Sequence, residues 1–212
     1  MMSPTALLVI GFMLGMRHAL DPDHVVAVTA IVARERSFQR AQWIGALWGI
    51  GHSTTVFLVG GTIAAFRIVV PPRFALALEM CVAVMLIVLG VANITARDSI
   101  APISNARPVT VGFIHGLAGS AFAAMLISST ITDPWLAGWY LLLFAVGTIG
   151  GMMLLTSAIA MPAVYLTGRF ADARQYLRFA SGVASVGFGL LLAHQVGVTE
   201  GLFGSAADWV PR

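Results

Sequence analysis

The sequence predicts an all-α integral membrane protein: six transmembrane helices forming two inverted three-helix repeats, with the first helix broken at HALDPDH. Three observations carry this. The 212 residues are 58% hydrophobic and only 10% charged, against roughly a quarter charged in an ordinary soluble domain. Mean hydropathy is +0.90, and the apolar runs reach the roughly 20 residues that cross a bilayer core. A short segment also recurs: Gly15-Met-Arg-His18-Ala-Leu returns as Gly112-Phe-Ile-His115-Gly-Leu, 97 positions later. Three spans per half reverse direction, so the second half must be inverted relative to the first.

The first span covers 4–33 and is interrupted, because residues 25–33 (VVAVTAIVA) are too short to cross alone and 4–16 supply the rest. The others follow at 42–66, 74–96, 109–132, 135–161 and 177–197. Pro71-Pro72, Pro102 with Pro108, and Asp133-Pro134 punctuate three connections, and the Arg-rich stretches 34–40 and 169–178 form the other two. Repeat one is then about 4–96 and repeat two about 109–197. The polar tail 198–212 is expected at the surface. The connections are short, so 1–212 reads as a single transmembrane domain in contact with the lipid bilayer. The N-terminus lacks a basic n-region and a small-residue cleavage site, so it reads as a retained helix.

The first, third and fifth connections hold Arg34, Arg36, Arg40, Arg97, Arg107, Arg169, Arg174 and Arg178; the opposite side holds Arg67, Arg73 and Arg212. The positive-inside rule therefore puts both termini outside the cytoplasmic membrane, with Arg67 and Arg73 weakening the bias. The basic residues are all Arg and lie between apolar runs without interleaved aromatics. No nucleic-acid partner is expected, despite a pI near 9.8. A lone Cys81 in an apolar run excludes a disulfide framework and a Cys-based zinc site. The ten Met are scattered as core filling rather than grouped for copper. Small-xxx-small patterns, Gly45/Gly49 and Ser181/Ser185/Gly189, permit tight packing within one chain or in a homo-oligomer.

The chemistry is concentrated in His18-Ala-Leu-Asp21-Pro22-Asp23-His24. Each ionised Asp at mid-membrane costs roughly 2.5–3.5 kcal/mol, so the cluster must be paired, bathed in water or bound to a cation. On an ideal helix His18, Asp21 and His24 share an arc and Asp23 points away. Pro22 removes the bond to the His18 carbonyl and breaks the helix, which would free that carbonyl and let Asp23 swing into the same cavity. Two imidazoles, two carboxylates and a carbonyl, without sulfur, suit Ni²⁺ or Co²⁺ better than Zn²⁺ or Mn²⁺. The plainer alternative ends span one near residue 17 and makes HALDPDH an interfacial loop.

His52, within Gly49-Ile-Gly51-His52-Ser53-Thr54-Thr55, and His115, the repeat partner of His18, are the further candidate ligands. Helix-packing glue is the competing account of both. Asn93 and Glu79 read as structural, and His194 as a surface residue. The metal candidates are thus His18, Asp21, Asp23, His24, His52 and His115.

His-x4-Asp-His within RHALDPDH resembles the signature of the nickel/cobalt transporter (NiCoT) family, and Gly51-His52-Ser53-Thr54 is similar to that family's second polar motif. His115-Gly-Leu-Ala-Gly-Ser120 resembles the related compact six-span urease-accessory nickel permeases. The resemblance covers spans one and two, part of span four, and the rest by hydropathy. It implies high-affinity transport of Ni²⁺ or Co²⁺ as cargo across the cytoplasmic membrane, with His18, Asp23 and His24 in metal recognition and His52 contributing. No prosthetic group and no enzymatic activity are implied. The acidic, Thr-rich motif that larger eight-span members carry in a later helix is missing, which leaves the second-half ligands open. The lack of a His-rich loop favours uptake over export.

Other readings compete. An exporter of another small solute could use the same architecture. Gly119-Ser120 and Ala193-His194 resemble a rhomboid intramembrane serine protease, with Ser120 as nucleophile and His194 as base. That reading leaves HALDPDH unexplained. A bis-His haem carrier would need facing His on two helices at matched depth, whereas His18 and His24 crowd one segment. No Walker-type Gly-rich loop exists in the sequence.

Overall fold

A computed structural model describes residues 3–33, 35, 37–66, 70–95, 104–117, 130–169, 173–204 and 207–209. Among these there is no strand. The helices are α1 (Pro4–His18), α2 (Pro22–Val32), α3 (Phe38–Thr55), α4 (Gly61–Phe66), α5 (Pro72–Thr95), α6 (Ala106–Leu117), α7 (Pro134–Arg169) and α8 (Ala173–His194). A π-helical turn, Val56–Gly60, joins α3 to α4, and a second, Gln195–Thr199, extends α8. Among the described residues, three helical stretches are long and apolar enough to cross a membrane: Pro72–Thr95, Pro134–Tyr165 and Gln175–Thr199.

The chain breaks between α1 and α2, at the HALDPDH segment. Ser3 caps α1 by accepting from the Ala6 amide at 3.2 Å, and Pro4 takes the first turn, where its missing N–H is harmless. The 15 residues of α1 reach only about 22 Å at roughly 1.5 Å per residue, short of a hydrocarbon core of about 30 Å. After a turn at 19–21, Pro22 starts α2 and Asp23 sits in its first turn, where a carboxylate complements the helix dipole. The His18 carbonyl is not freed by the break: it accepts from the Asp21 amide at 3.1 Å. The loose carbonyl ligand expected from Pro22 is therefore absent, because the turn re-satisfies it.

The 11 residues of α2 are the centre of the bundle. Ala27, Val28, Ala30, Ile31 and Val32 are all 2% exposed or less, and they join Trp48, Val82, Leu86 and Met152 in one core cluster. Asn93 of α5 donates to the Ala30 carbonyl at 2.5 Å and to Ser181 Oγ at 3.3 Å. It satisfies one of the carbonyls that a helix C-terminus leaves open.

Other elements differ from expectation at their ends. Span five was expected to stop at 161, yet α7 runs through Pro162 to Arg169; a proline costs one backbone bond and is tolerated in apolar bundles. The part of span four at 118–129 lies outside the described residues. Residues 198–204 and 207–209 are not simply a surface tail. Gly201, at φ 76°, turns the chain back, Glu200 is buried, and the Trp209 Nε1–H donates to Glu79 Oε1 at 2.8 Å. Arg73 donates to the Gly204 carbonyl at 3.2 Å.

The helices meet through glycines in reciprocal pairs. Gly15 of α1 lies against the Phe144 carbonyl and Thr148 amide of α7, while Gly112 of α6 lies against the Trp48 carbonyl and His52 amide of α3. Gly147 meets the Phe12 carbonyl and Met16 amide, and Gly51 meets the Val109 carbonyl and Phe113 amide. Gly90 of α5 meets the Gly182 carbonyl and Val186 amide of α8, and Gly189 meets the Ala83 carbonyl and Ile87 amide. Within each pair, one contact becomes the other by moving 96 to 99 positions along the chain.

A Cβ on Gly112 would run into the Trp48 carbonyl, a backbone atom that cannot swing aside. Gly112→Val is expected to destabilise the folded protein by about 1–3 kcal/mol, as overpacking does. Thermal unfolding in detergent should fall by several degrees. Gly138→Ala, where nothing lies within 4 Å, is the control and should leave the transition in place. An unchanged midpoint for Gly112→Val would contradict the close approach.

Candidate metal centre

The break between α1 and α2 brings polar groups from both sides of its gap. His18 ends α1, Asp21 caps the gap, and Asp23 and His24 open α2. His52 arrives from α3 and His115 from α6. His24, His52 and His115 are completely buried and His18 is 6% exposed. All six expected residues therefore meet around one gap. Two groups of candidate ligands result, His18/His24/His52 and Asp23/His24/His115, and within each one ligand atom per residue lies within 4.8 Å of the others. His24 belongs to both.

The carboxylates work through the rings. Asp21 Oδ2 is 2.8 Å from His18 Nδ1. Asp23 Oδ1 is 3.0 Å from His24 Nδ1 and accepts the His24 amide at 2.9 Å, while its Oδ2 is 2.8 Å from His115 Nε2. With these nitrogens as donors, His18 and His24 each keep Nε2 as a lone pair. A carboxylate holding the far nitrogen is the usual outer-shell support of a metal-binding imidazole. His18 Nε2 and His52 Nε2 are 3.0 Å apart. Metal–nitrogen bonds of about 2.0–2.1 Å, as at zinc, place two ligands at right angles about 3 Å apart.

Among the described residues, buried His24 Nε2, His52 Nδ1 and His115 Nδ1 have no hydrogen-bond partner. Orphaned polar atoms in an apolar interior are costly, and a cation beside His18 Nε2 and His52 Nε2 would use the His24 Nε2 lone pair. Trp48 forms one wall, 5.5 Å from the His24 ring and 5.6 Å from that of His115. Phe144 flanks His18 at 5.5 Å. Sequence reading missed both aromatics, although Trp48 lies one helical turn before His52. It also missed Thr148, completely buried, which faces Gly15 as His52 faces Gly112. His194 is exposed and stands apart from the cluster. Ser120 lies outside the described residues.

Asp21 is 37% exposed and is bonded to His18, whereas Asp23 is 20% exposed and bridges two rings. Asp21→Asn is accordingly expected to weaken metal-dependent activity only a few-fold, and less than Asp23→Asn does, at equal abundance in the membrane. Equal losses in the two variants would overturn this ranking.

Comparison with known proteins follows the same residues. The family model described as "High-affinity nickel-transport protein" matches residues 5–96, a stretch that includes His18, Asp21, Asp23, His24 and His52. The chain is 31% identical over 217 aligned positions to the urease accessory protein UreH of Bacillus sp. (strain TB-90), covering 93% of this chain and 95% of that one. No solved structure matches.

Proposed function

The chain belongs to the family of high-affinity nickel-transport proteins, and from that membership we propose that it carries Ni²⁺ across the cytoplasmic membrane through the buried His/Asp cluster. The observation that carries the site assignment is the pair of ligand groups sharing His24. In this reading His18, His24 and His52 offer nitrogen to the ion, Asp21 and Asp23 orient the rings, and Asp23 with His115 forms an adjoining position. Imidazole ligands must be neutral, so protons compete with the metal.

The working architecture we propose is six spans in two inverted halves, 4–96 and 109–197, within one transmembrane domain whose termini lie outside. The reciprocal glycine contacts support it, and so does the position of the cluster at a broken helix, where inverted-repeat transporters bind their cargo. Net transport is inward. An inside-negative potential draws a divalent ion in by about 4.6 kcal/mol per 100 mV, enough to drive uptake without nucleotide chemistry. The family is one of transporters, and nothing supports the alternative of a serine protease built on Ser120 and His194.

The test is uptake of radiolabelled Ni²⁺ into proteoliposomes carrying a potassium diffusion potential. Accumulation should appear only with the protein present and rise steeply when the interior is made negative. Accumulation that ignores the potential would overturn potential-driven uptake, and none at all would overturn transport by this chain alone.

A further inference from the structure

A cavity of about 620 Å³ leads away from the cluster. It is lined by Asp21 and Asp23 at the gap, by Glu79 of α5 and His194 at the end of α8, and by apolar residues that include Phe188 and Leu192. Six waters at about 30 Å³ each occupy roughly 180 Å³, so the volume exceeds that of a fully hydrated divalent ion. Glu79 lies two turns into α5 and His194 ends α8, which sets the far end of a route from the gap on the side where α5 begins and α8 stops. The wall thus carries carboxylates from the start of α2 and from α5. That of Glu79 is only 6% exposed and is held by the Trp209 indole N–H at 2.8 Å.

We propose that this cavity is the aqueous access route by which a hydrated divalent cation reaches the His/Asp cluster, with Glu79 as the carboxylate that draws the ion in. Trp209 is a positioning residue, fixing that carboxylate at the wall. A side chain at mid-route need not contact the ion, but anything bulky and positive placed there blocks it. The inference rests on the nickel-transport reading and adds the path, its side and a residue outside the cluster. With the termini outside, the far end of the cavity opens outward.

The test uses Leu192→Cys in a Cys81→Ala background, treated from outside with a membrane-impermeant trimethylammonium methanethiosulfonate reagent. Cys81 is exposed on α5 and does not line the cavity, so the Cys81→Ala parent should transport normally. The expected result is labelling of the introduced thiol, slowed by Ni²⁺, with nickel uptake falling at least ten-fold after labelling while the treated parent is unaffected. Phe188→Cys serves as the second probe if the first variant fails to reach the membrane.

No labelling, labelling only in inverted vesicles, or full labelling with uptake intact would each overturn the route. Nickel protection is read without transport. A parent that fails to transport would therefore count against the proposed function, while protection would still report on the route. For Glu79, the expected change is a several-fold rise in the KM of Glu79→Gln at unchanged maximal rate, restored by Glu79→Asp. A loss of protein abundance with KM unchanged would reduce Glu79 to a structural role.

Discussion

Replacing His24 with alanine is expected to abolish nickel accumulation. His24 is completely buried and belongs to both groups of candidate ligands, so its loss cuts each group to two. Removing an outer-shell partner of a metal site typically costs 10- to 100-fold. Removing a shared ligand should cost at least about 100-fold, which at nanomolar Ni²⁺ is indistinguishable from background. The measurement is radiolabelled uptake in cells lacking other nickel importers, alongside quantification of the variant in the membrane. His24→Ala at parental abundance and parental uptake would remove the cluster from the mechanism.

Asp23→Asn should be the next most severe, lowering apparent nickel affinity by about 10- to 100-fold, the range for lost outer-shell support. Both carboxylate oxygens are in use, one on His24 Nδ1 and one on His115 Nε2. An amide offers one acceptor and turns an NH₂ group toward the other ring. One imidazole must then change tautomer or lose its partner. The effect should fall on KM for nickel rather than on protein amount, and uptake kinetics with a membrane-fraction control would read it. A variant within two-fold of the parent would mean that Asp23 orients nothing.

The break in the first span could be read directly, because Pro22 and two carboxylates within four residues cannot continue an apolar helix. The placement of Asp23 could be read only in part. A continuous helical wheel turns it away from His18, but α2 restarts at Pro22, which resets the phase and points the first turn of α2 back toward the gap. His115 was reachable through its repeat with His18, although the repeat is only a few residues long. Trp48 and Phe144 were not reachable, since an aromatic in an apolar run carries no mark separating the wall of a site from lipid-facing surface. The return of Trp209 to the bundle was equally hidden. A polar segment gives no hint that Trp209 will find Glu79, more than a hundred residues earlier. The end of span five, expected at 161, was also hidden: the helix continues through Pro162, because proline ends helices in water more reliably than within an apolar bundle.

The reciprocal glycine approaches bear on the balance between conformers. If the two halves exchange shapes, each close approach takes on the geometry that its counterpart already has, Gly15 on Thr148 that of Gly112 on His52 and Gly90 on Val186 that of Gly189 on Ile87. These glycine contacts then favour neither arrangement. What tips the balance is the small set of side chains without an equivalent, such as His52 against Thr148. Two-state equilibria with gaps of a few kcal/mol respond to a ligand only through its differential affinity for the two states. A chain whose packing is indifferent leaves that decision to its cargo.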